Sequence, residues 1–312
     1  MNLQQLRFVR EATRRKLNLS EVAKALHTSQ PGVSKAILEL EHELGVDIFS
    51  RHGKRLRSVT AAGLALMPSI ETILREVGNI KSIAAEHVRQ GSGTFSIATT
   101  HTQARYVLPA PISKLRTTFP QVSVSLHQGT PDQVAQMLLD DVAEIGIATE
   151  SLANYPDLLT LPCYDWQHML VVPKGHALAK KKTFTIQDLA LESLITYHPT
   201  FTGRTRIDLA FRAAHITPHV VLEAIDSDVI KTYVRSGLGI GIIAEMAAGK
   251  DLAPDLIAIP AGHLFGKNTT RIAFKRGNYL RDFAYAFSGY LNSSLSKEAI
   301  QKAMKKEAGI SN

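Results

Sequence analysis

The chain has 312 residues, 45 % of them hydrophobic and 21 % charged. Those proportions are ordinary for globular proteins, leave room for two or three domains at roughly 100–200 residues each, and exclude wholesale disorder. The formal net charge is +8 but uneven: residues 1–60 carry 11 Lys and Arg against 6 Asp and Glu, a net of +5, and the rest carries only +3. A small basic front before a near-neutral rear suits contact with a polyanion, the plainer alternative being a solvated basic surface. The single cysteine, Cys163, excludes an intrachain disulfide and reads as a small packed side chain. No stretch reads as a secretory signal and no apolar run has bilayer length, so the expected location is the cytoplasm and no membrane partner is expected.

Residues 1–60 predict three helices and a hairpin. The first helix covers about Leu3 to Arg15, with Leu3, Leu6, Val9 and Ala12 on one side. The second starts near Ser20 and spaces Leu19, Val22, Ala23 and Leu26 as one buried face. Ser29 should cap the third, with Pro31 in the first turn, where a missing N–H costs nothing. Its inward face reads Val33, Ile37, Leu40 and Leu44, and Gly45 ends it. Only His27 and Thr28 separate the second and third helices, so they must cross steeply as a helix-turn-helix. The outward face at the start of the third helix offers Gln30, Pro31, Ser34 and Lys35 to the DNA major groove. Residues 48–60 then read as two short strands around a basic Gly-containing turn. Arg51, Lys54 and Arg55 of this wing are expected on the phosphate backbone or in the minor groove. A helical bundle with a basic loop is the plainer alternative.

Thr60 can cap a long helix reaching about Arg89. Leu66, Ile70, Ile73, Val77, Ile80, Ala84 and His87 form a heptad stripe along it, which predicts a two-fold dimer rather than packing on the chain's own rear domain. Pro68 interrupts the pattern and is expected to kink the helix or delay its regular start.

After Gln90-Gly-Ser-Gly93, strands and helices alternate. Strands are predicted at 94–99, 122–127, 144–148, 168–172, 194–197, 220–224, 240–244 and 270–275, and a helix at 279–291. The alternation predicts parallel sheets covered on both faces, in two small α/β lobes with changeovers near Cys163 and Leu264. Ligands of such sheets bind beyond the carboxyl ends of strands. Here those ends read Thr100-His-Thr-Gln103, Thr149-Glu150 and Phe201-Thr-Gly-Arg204. Hydroxyls, an amide and helix-start N–H groups suit sulfate or a carboxylate, although the same Ser and Thr residues could serve only as helix caps.

Other motifs lead nowhere. Gly237-Leu-Gly-Ile-Gly241 follows a helix and enters a strand, the reverse of a dinucleotide loop, and reads as a tight connection. The 12 histidines lack metal-ligand spacing, so no metal is expected. Lys180-Lys-Lys182 reads as a solvated turn. No nucleophile elbow, Walker loop or acid–base pair can be assembled, so no catalytic residue and no cofactor is assigned.

The run Asn18-Leu-Ser-Glu-Val-Ala, Thr28-Ser-Gln-Pro-Gly-Val-Ser-Lys, Leu40-Glu, Leu44-Gly and Ile48-Phe-Ser-Arg resembles the DNA-binding domain of LysR-type regulators. Within that family Thr99–Tyr106, Ile147–Glu150, Leu161–Tyr164, Thr202–Arg204 and Asp226–Arg235 resemble the CysB/Cbl branch. The resemblance reaches about residue 291, and the polar tail from Ser294 has no assigned role. His198-Pro-Thr200 departs from the branch's Gly-containing lead-in.

The resemblance implies a winged helix-turn-helix over 1–60, a linker helix over 61–90 and an effector domain of periplasmic-binding-protein type over 91–312. In that domain, lobe one is expected at about 91–163 and 265–292 and lobe two at about 164–264. It further implies a transcriptional activator of sulfur assimilation and cysteine biosynthesis, a dimer assembling to a homotetramer on promoter DNA, and contact with RNA polymerase. The implied effectors are acetylserine or sulfate, or adenosine phosphosulfate if the chain serves sulfonate or sulfate-ester use. Carried over by position, the effector contacts are Thr100, Thr102, Gln103, Thr149, Glu150, Trp166 and Thr202. A solute-binding protein of the same two-lobed plan is the rival outside the class, and an enzyme with an accessory DNA domain is the second. The basic winged front argues against the first, and the missing acid–base pair against the second.

Overall fold

The structure, a computed structural model, describes residues 1–53, 55–88, 91–181, 183–249 and 252–307; the side chains of Glu150, Thr202, Lys306 and Glu307 also fall outside the description. The chain divides into two compact units, Met1–Ala85 and Glu86–Asn312.

In the first unit, α1 (Leu3–Arg14) opens with a capping box, Asn2 accepting from Gln5 N–H and the Gln5 side chain accepting from Asn2 N–H. It buries Leu6, Phe8, Val9 and Ala12, while Leu3, expected inside, remains 42 % exposed. α2 (Leu19–Ala25) is capped by Asn18 and buries Leu19, Val22 and Ala23. α3 (Gln30–Leu44) starts from Ser29, whose hydroxyl accepts from Gly32 N–H at 3.2 Å. Val33, Ile37 and Leu40 are fully buried, each worth roughly 1.5–3 kcal/mol of apolar transfer.

One inward assignment is corrected. Leu44 is exposed, and Glu41, one turn after Ile37, points inside with 4 % exposure. Its carboxylate is fully occupied: Oε1 accepts from Ile48 N–H at 2.9 Å and Phe49 N–H at 3.0 Å, and Oε2 pairs with Arg51. It therefore ties α3 to the hairpin of β1 (Phe49–His52) and β2 (Arg55–Val59), which pair antiparallel.

α4 (Ala61–Val88) begins where Thr60 caps it, accepting from Gly63 N–H at 3.0 Å. Pro68 does not delay the start; it lies exposed inside the helix and removes one N–H donor. The heptad stripe is not one seam. Ile70 is buried and Leu66 half-buried in the unit's own core, joined by Leu74 from beside the stripe, whereas Ile73 and Ile80 are 38 % and 66 % exposed.

In the second unit, β3 (Ser92–Thr99), α5 (His101–Tyr106), α6 (Pro109–Thr118), β4 (Gln121–Gln128), α7 (Pro131–Leu139) and β5 (Ile145–Ala148) build a first half. β6 (Leu158–Pro173) leads to a second half, made of α8 (Ile186–Ala190), β7 (Leu194–Tyr197), α9 (Thr202–Ala213), β8 (Val220–Ala224), α10 (Ser227–Arg235), β9 (Ile240–Ala244), β10 (Leu256–Pro260) and α11 (Gly262–Phe265). β11 (Lys267–Lys275), α12 (Asp282–Leu291) and α13 (Lys297–Glu307) follow. The strands run in the order β4-β3-β5-β11-β6-β9-β7-β8, with β10 also on β6.

The expectation of purely parallel sheets is overturned. β3 pairs parallel with β4 and β5, and β7 with β8 and β9, but β6 and β11 enter antiparallel to their neighbours. The strand expected at 168–172 is the end of a 16-residue one. Its earlier part, Leu158–Gln167, pairs with β11, and its later part with β9 and β10. Pro162 hides this strand from a sequence reading because it cannot donate to a ladder; it is accommodated opposite Arg271, where the register shifts.

The tail has a packing role. Leu295 and Ile300 are 3 % and 0 % exposed in the core formed by Phe95, Phe283 and Phe287. Cys163 lies in the same core, where burial pushes its thiol up to about 12 and keeps it protonated. The glycine run acts as a connection. Gly237 has φ +80° just beyond the end of α10, and a Cβ on Gly239 would stand 2.2 Å from the Ser193 carbonyl oxygen, so only glycine lets the chain enter β9 there.

Candidate functional site

The DNA-facing candidates belong to the first unit. Gln30 and Ser34 are half-buried and Pro31 exposed at the start of α3, while the Lys35 side chain is 79 % exposed and 3.7 Å from Glu39. An exposed pair of that kind is worth little and breaks readily for a phosphate. Arg55 is exposed on β2, and Arg57, which the sequence reading did not single out, is exposed two residues on. Arg51 differs from the rest, because its guanidinium is committed to Glu41. Lys54 lies outside the described residues.

The second unit holds a cleft between its two halves. Thr100, Thr102 and Gln103 form one wall, with Pro131 and Thr149, and Tyr197, Phe201, Gly203 and Ala244 form the other, with Trp166 of β6 in the lining. The enclosed volume is about 40 Å³, so as it stands the cleft is tight and suits a small anion. Thr100, Thr102, Gln103, Thr149 and Trp166 thus share one lining. The side chains of Glu150 and Thr202 lie outside the described residues; their backbones start a 3₁₀ turn and α9, respectively. Phe201 and Gly203 belong to the run read as a strand end, whereas Pro131, Tyr197 and Ala244 were missed as lining residues because they face the cleft only once the sheet halves are paired.

The cleft is rich in neutral donors. None of its described lining residues is charged. Trp166 is 5 % exposed, and its indole N–H has no acceptor among the described residues. A buried donor without a partner costs about 1–3 kcal/mol, which a ligand oxygen would recover. Thr100 precedes α5 without a side-chain capping bond, and α9 starts at Phe201 with none either. The first N–H groups of the 12-residue α9 thus meet the cleft with the positive end of the helix dipole.

Other polar groups are already engaged. Gln103 donates to Thr270 Oγ1 at 3.3 Å and accepts from the Tyr164 hydroxyl, so its amide braces the wall. The Tyr197 hydroxyl accepts from Ala244 N–H at 2.9 Å and bonds Ser227 at 2.6 Å and Thr102 across the cleft. Burial pushes its phenol up to about 12. Arg204, part of the expected anion-binding run, is committed elsewhere: it pairs with Asp208 at 2.6 Å and Glu223 at 2.7 Å and donates to the Tyr197 carbonyl. His198 bonds Thr200 at 2.9 Å, so the unusual lead-in to Phe201 forms a self-contained turn.

His101, Asp226 and Asp228 lie close enough to suggest a metal cradle. Asp226 caps α10, however, and Asp228 is already 2.6 Å from Arg105 and 3.1 Å from Lys231. The cluster is neutralised by the protein's own cations.

Behind the cleft, His168 is fully buried, edge-on to Trp166 at 5.1 Å and to Phe265 at 5.4 Å. Burial pushes its imidazole down to about 4 from the ordinary 6.5. The unfolded ring binds a proton below pH ~6.5 and the folded ring does not until about 4. Stability from keeping the ring neutral is therefore complete above pH ~6.5 and lost as the pH falls toward 4. The melting temperature of the wild type is expected to drop across that window, and His168→Asn to flatten the drop; circular-dichroism melts at stepped pH check this. An equal drop in both proteins would assign the acid sensitivity to other groups.

Comparison with known proteins follows the same division. Residues 3–64 match the model for the bacterial regulatory helix-turn-helix protein, lysR family, and residues 89–296 match that for the LysR substrate binding domain. The chain is 51 % identical over 308 residues to the HTH-type transcriptional regulator CysB of Burkholderia cenocepacia, covering 99 % of this chain and 98 % of that one. It is 49 % identical to the regulator SsuR of the same organism, covering 96 % of this chain and all of that one. The crystal structure of the cofactor-binding domain of the Cbl transcriptional regulator superposes with a TM-score of 0.66 at 44 % identity, covering 69 % of this chain and 94 % of that one. Among the described residues no helix is long and apolar enough to cross a membrane. With both of its units matched and relatives aligned end to end, the chain belongs to the LysR family of transcriptional regulators, which are not enzymes, in the branch that holds CysB, SsuR and Cbl.

Proposed function

We propose that the chain is a cytoplasmic activator of sulfur-assimilation genes that binds promoter DNA through α3 and the β1–β2 wing and takes a small oxyanion-bearing sulfur metabolite in the cleft. The carrying observation is the buried Trp166 N–H, without an acceptor among the described residues, in a cleft of neutral donors at the start of α9. Neutral hydrogen-bond donors suit sulfate or the carboxylate of acetylserine, which need charge stabilisation without a counter-ion. The exposed Ile73 and Ile80 on α4 support a dimer seam, and pairing of dimers into a tetramer that meets RNA polymerase completes the reading. Effector binding shifts the assembly between two arrangements through its different contacts in each.

Fluorescence anisotropy on a labelled promoter fragment of a sulfur-assimilation operon, at fixed salt, tests this. Specific binding that changes with acetylserine supports the cysteine-biosynthesis reading. A response only to adenosine phosphosulfate or sulfate transfers it to sulfonate or sulfate-ester use. No preference over random DNA in any condition removes the sulfur assignment. In the same assay Arg55→Ala is expected to weaken specific and random DNA alike and to lower the salt slope by about 1, the signature of one lost phosphate contact. An unchanged slope would take Arg55 off the DNA.

A further inference from the structure

The α5 helix has two ends with different employment. Its first turn supplies Thr102 and Gln103 to the cleft. Its last turn carries Arg105 and Tyr106 across to the second half of the sheet. There Asp228, in the first turn of α10, accepts from the Tyr106 hydroxyl at 2.5 Å and pairs with Arg105 Nε at 2.6 Å. Lys231, 7 % exposed, lies 3.1 Å from Asp228 and donates to the Tyr106 hydroxyl at 2.9 Å and to the Ala247 carbonyl at 3.1 Å. Its ammonium also stands 5.0 Å from the centre of the Tyr106 ring, which packs on the second half's core of Ile195, Tyr197 and Ile230.

We propose that Asp228 is a positioning residue for effector binding, holding α5 against α10 and so setting the separation of the two cleft walls. The proposal rests on the cleft reading above. Asp228 does not line the cleft. It acts through a helix of six residues, too short to bend between its two ends. Three donors converge on this one carboxylate, one of them a buried ammonium with few alternatives, so the network is worth more than an isolated surface pair. The arrangement it holds is the one in which Thr100, Thr102 and Gln103 face Tyr197, Phe201 and Gly203. An effector that touches both walls binds that arrangement, and losing the network lowers the population competent to bind.

The test uses the full chain, with sulfate as probe and the fluorescence of Trp166, the chain's single tryptophan, as reporter. Asp228→Asn removes the charge and keeps the shape. It is expected to raise the sulfate dissociation constant about tenfold, a usual size for coupling between sites. Tyr106→Phe is expected to act in the same direction, and the double variant to be no worse than Asp228→Asn, because both break one network. Hydrogen exchange without ligand is the second readout: amides of residues 101–106 should exchange faster in Asp228→Asn. A lower melting temperature with unchanged sulfate affinity would mean a merely structural role and overturn the proposal. If the wild type binds neither sulfate nor acetylserine, the oxyanion reading of the cleft fails on its own. The network is then judged by where exchange changes: faster exchange confined to residues 101–106 and the start of α10 upholds it, and unchanged exchange or loosening throughout the unit overturns it.

Discussion

Glu41→Ala is expected to unfold or loosen the DNA-binding unit and abolish specific DNA binding, while the effector unit still melts and still binds its ligand. Three facts set the size of the effect. The carboxylate is 4 % exposed; it is the acceptor for Ile48 and Phe49 N–H; and it is the partner of Arg51, whose side chain is 20 % exposed. Removing it strands two backbone donors and one cation together, and breaking a buried pair costs about 3–5 kcal/mol. The partial exposure of Arg51 puts the expected loss near the lower end, about 3 kcal/mol. That is a large share of the roughly 5–15 kcal/mol that holds an ordinary domain. Glu41→Gln separates the contributions: it keeps an oxygen for the two N–H groups but loses the charge and turns an amide NH2 donor toward Arg51, so it should fall between wild type and alanine. Calorimetry with two resolved transitions, beside promoter anisotropy, checks both. Wild-type stability in Glu41→Ala would show that the hairpin is held by its apolar contacts alone.

This residue also shows what the sequence could and could not disclose. The spacing of Val33, Ile37 and Leu40 gave the face of α3, and the next positions of the same period are Glu41 and Leu44. Hydrophobicity favours Leu44, and a pattern argument has no way to know that two backbone N–H groups and an arginine wait opposite Glu41. Arg51 was read as a phosphate ligand for the same reason: its charge is legible and its partner is not. In the effector unit, strand–helix alternation gave β3, β4, β5, β7, β8 and β9 to within about two residues, because helices bound them, whereas β10 (Leu256–Pro260), which is not followed by a long helix, was missed. The crossing strands β6 and β11 were blurred, since Pro162 breaks one pattern and antiparallel pairing leaves no mark in composition. For the cleft, the resemblance supplied Thr100, Thr102, Gln103, Thr149 and Trp166. Gly203 lay in the run read as a strand end, but its role depends on rings from β6 that no spacing rule brings near it.

Gly203→Val is expected to cost the chain its effector while leaving both units folded. A Cβ at this position would stand 3.2 Å from His168 Nε2, 3.3 Å from Trp166 Cη2 and 3.6 Å from Tyr197 Cδ2. Something must give by a few tenths of an ångström. His168 is wedged between Trp166 and Phe265 and fully buried, so the movable neighbour is Trp166, and it moves toward the cleft. Overpacking of this kind costs about 1–3 kcal/mol, and each 1.4 kcal/mol is a factor of ten in affinity. Gly203→Ala should therefore weaken binding about tenfold, and the branched valine about a hundredfold. The displaced indole should shift its emission in both variants before any ligand is added. Promoter binding without effector is expected to persist, because α3 and the wing belong to the other compact unit. Titration followed by Trp166 fluorescence, with the melting temperature as control, decides the point. Wild-type affinity in Gly203→Val would mean that the ligand does not press against Trp166, and the cleft wall facing α9 would lose its assigned role.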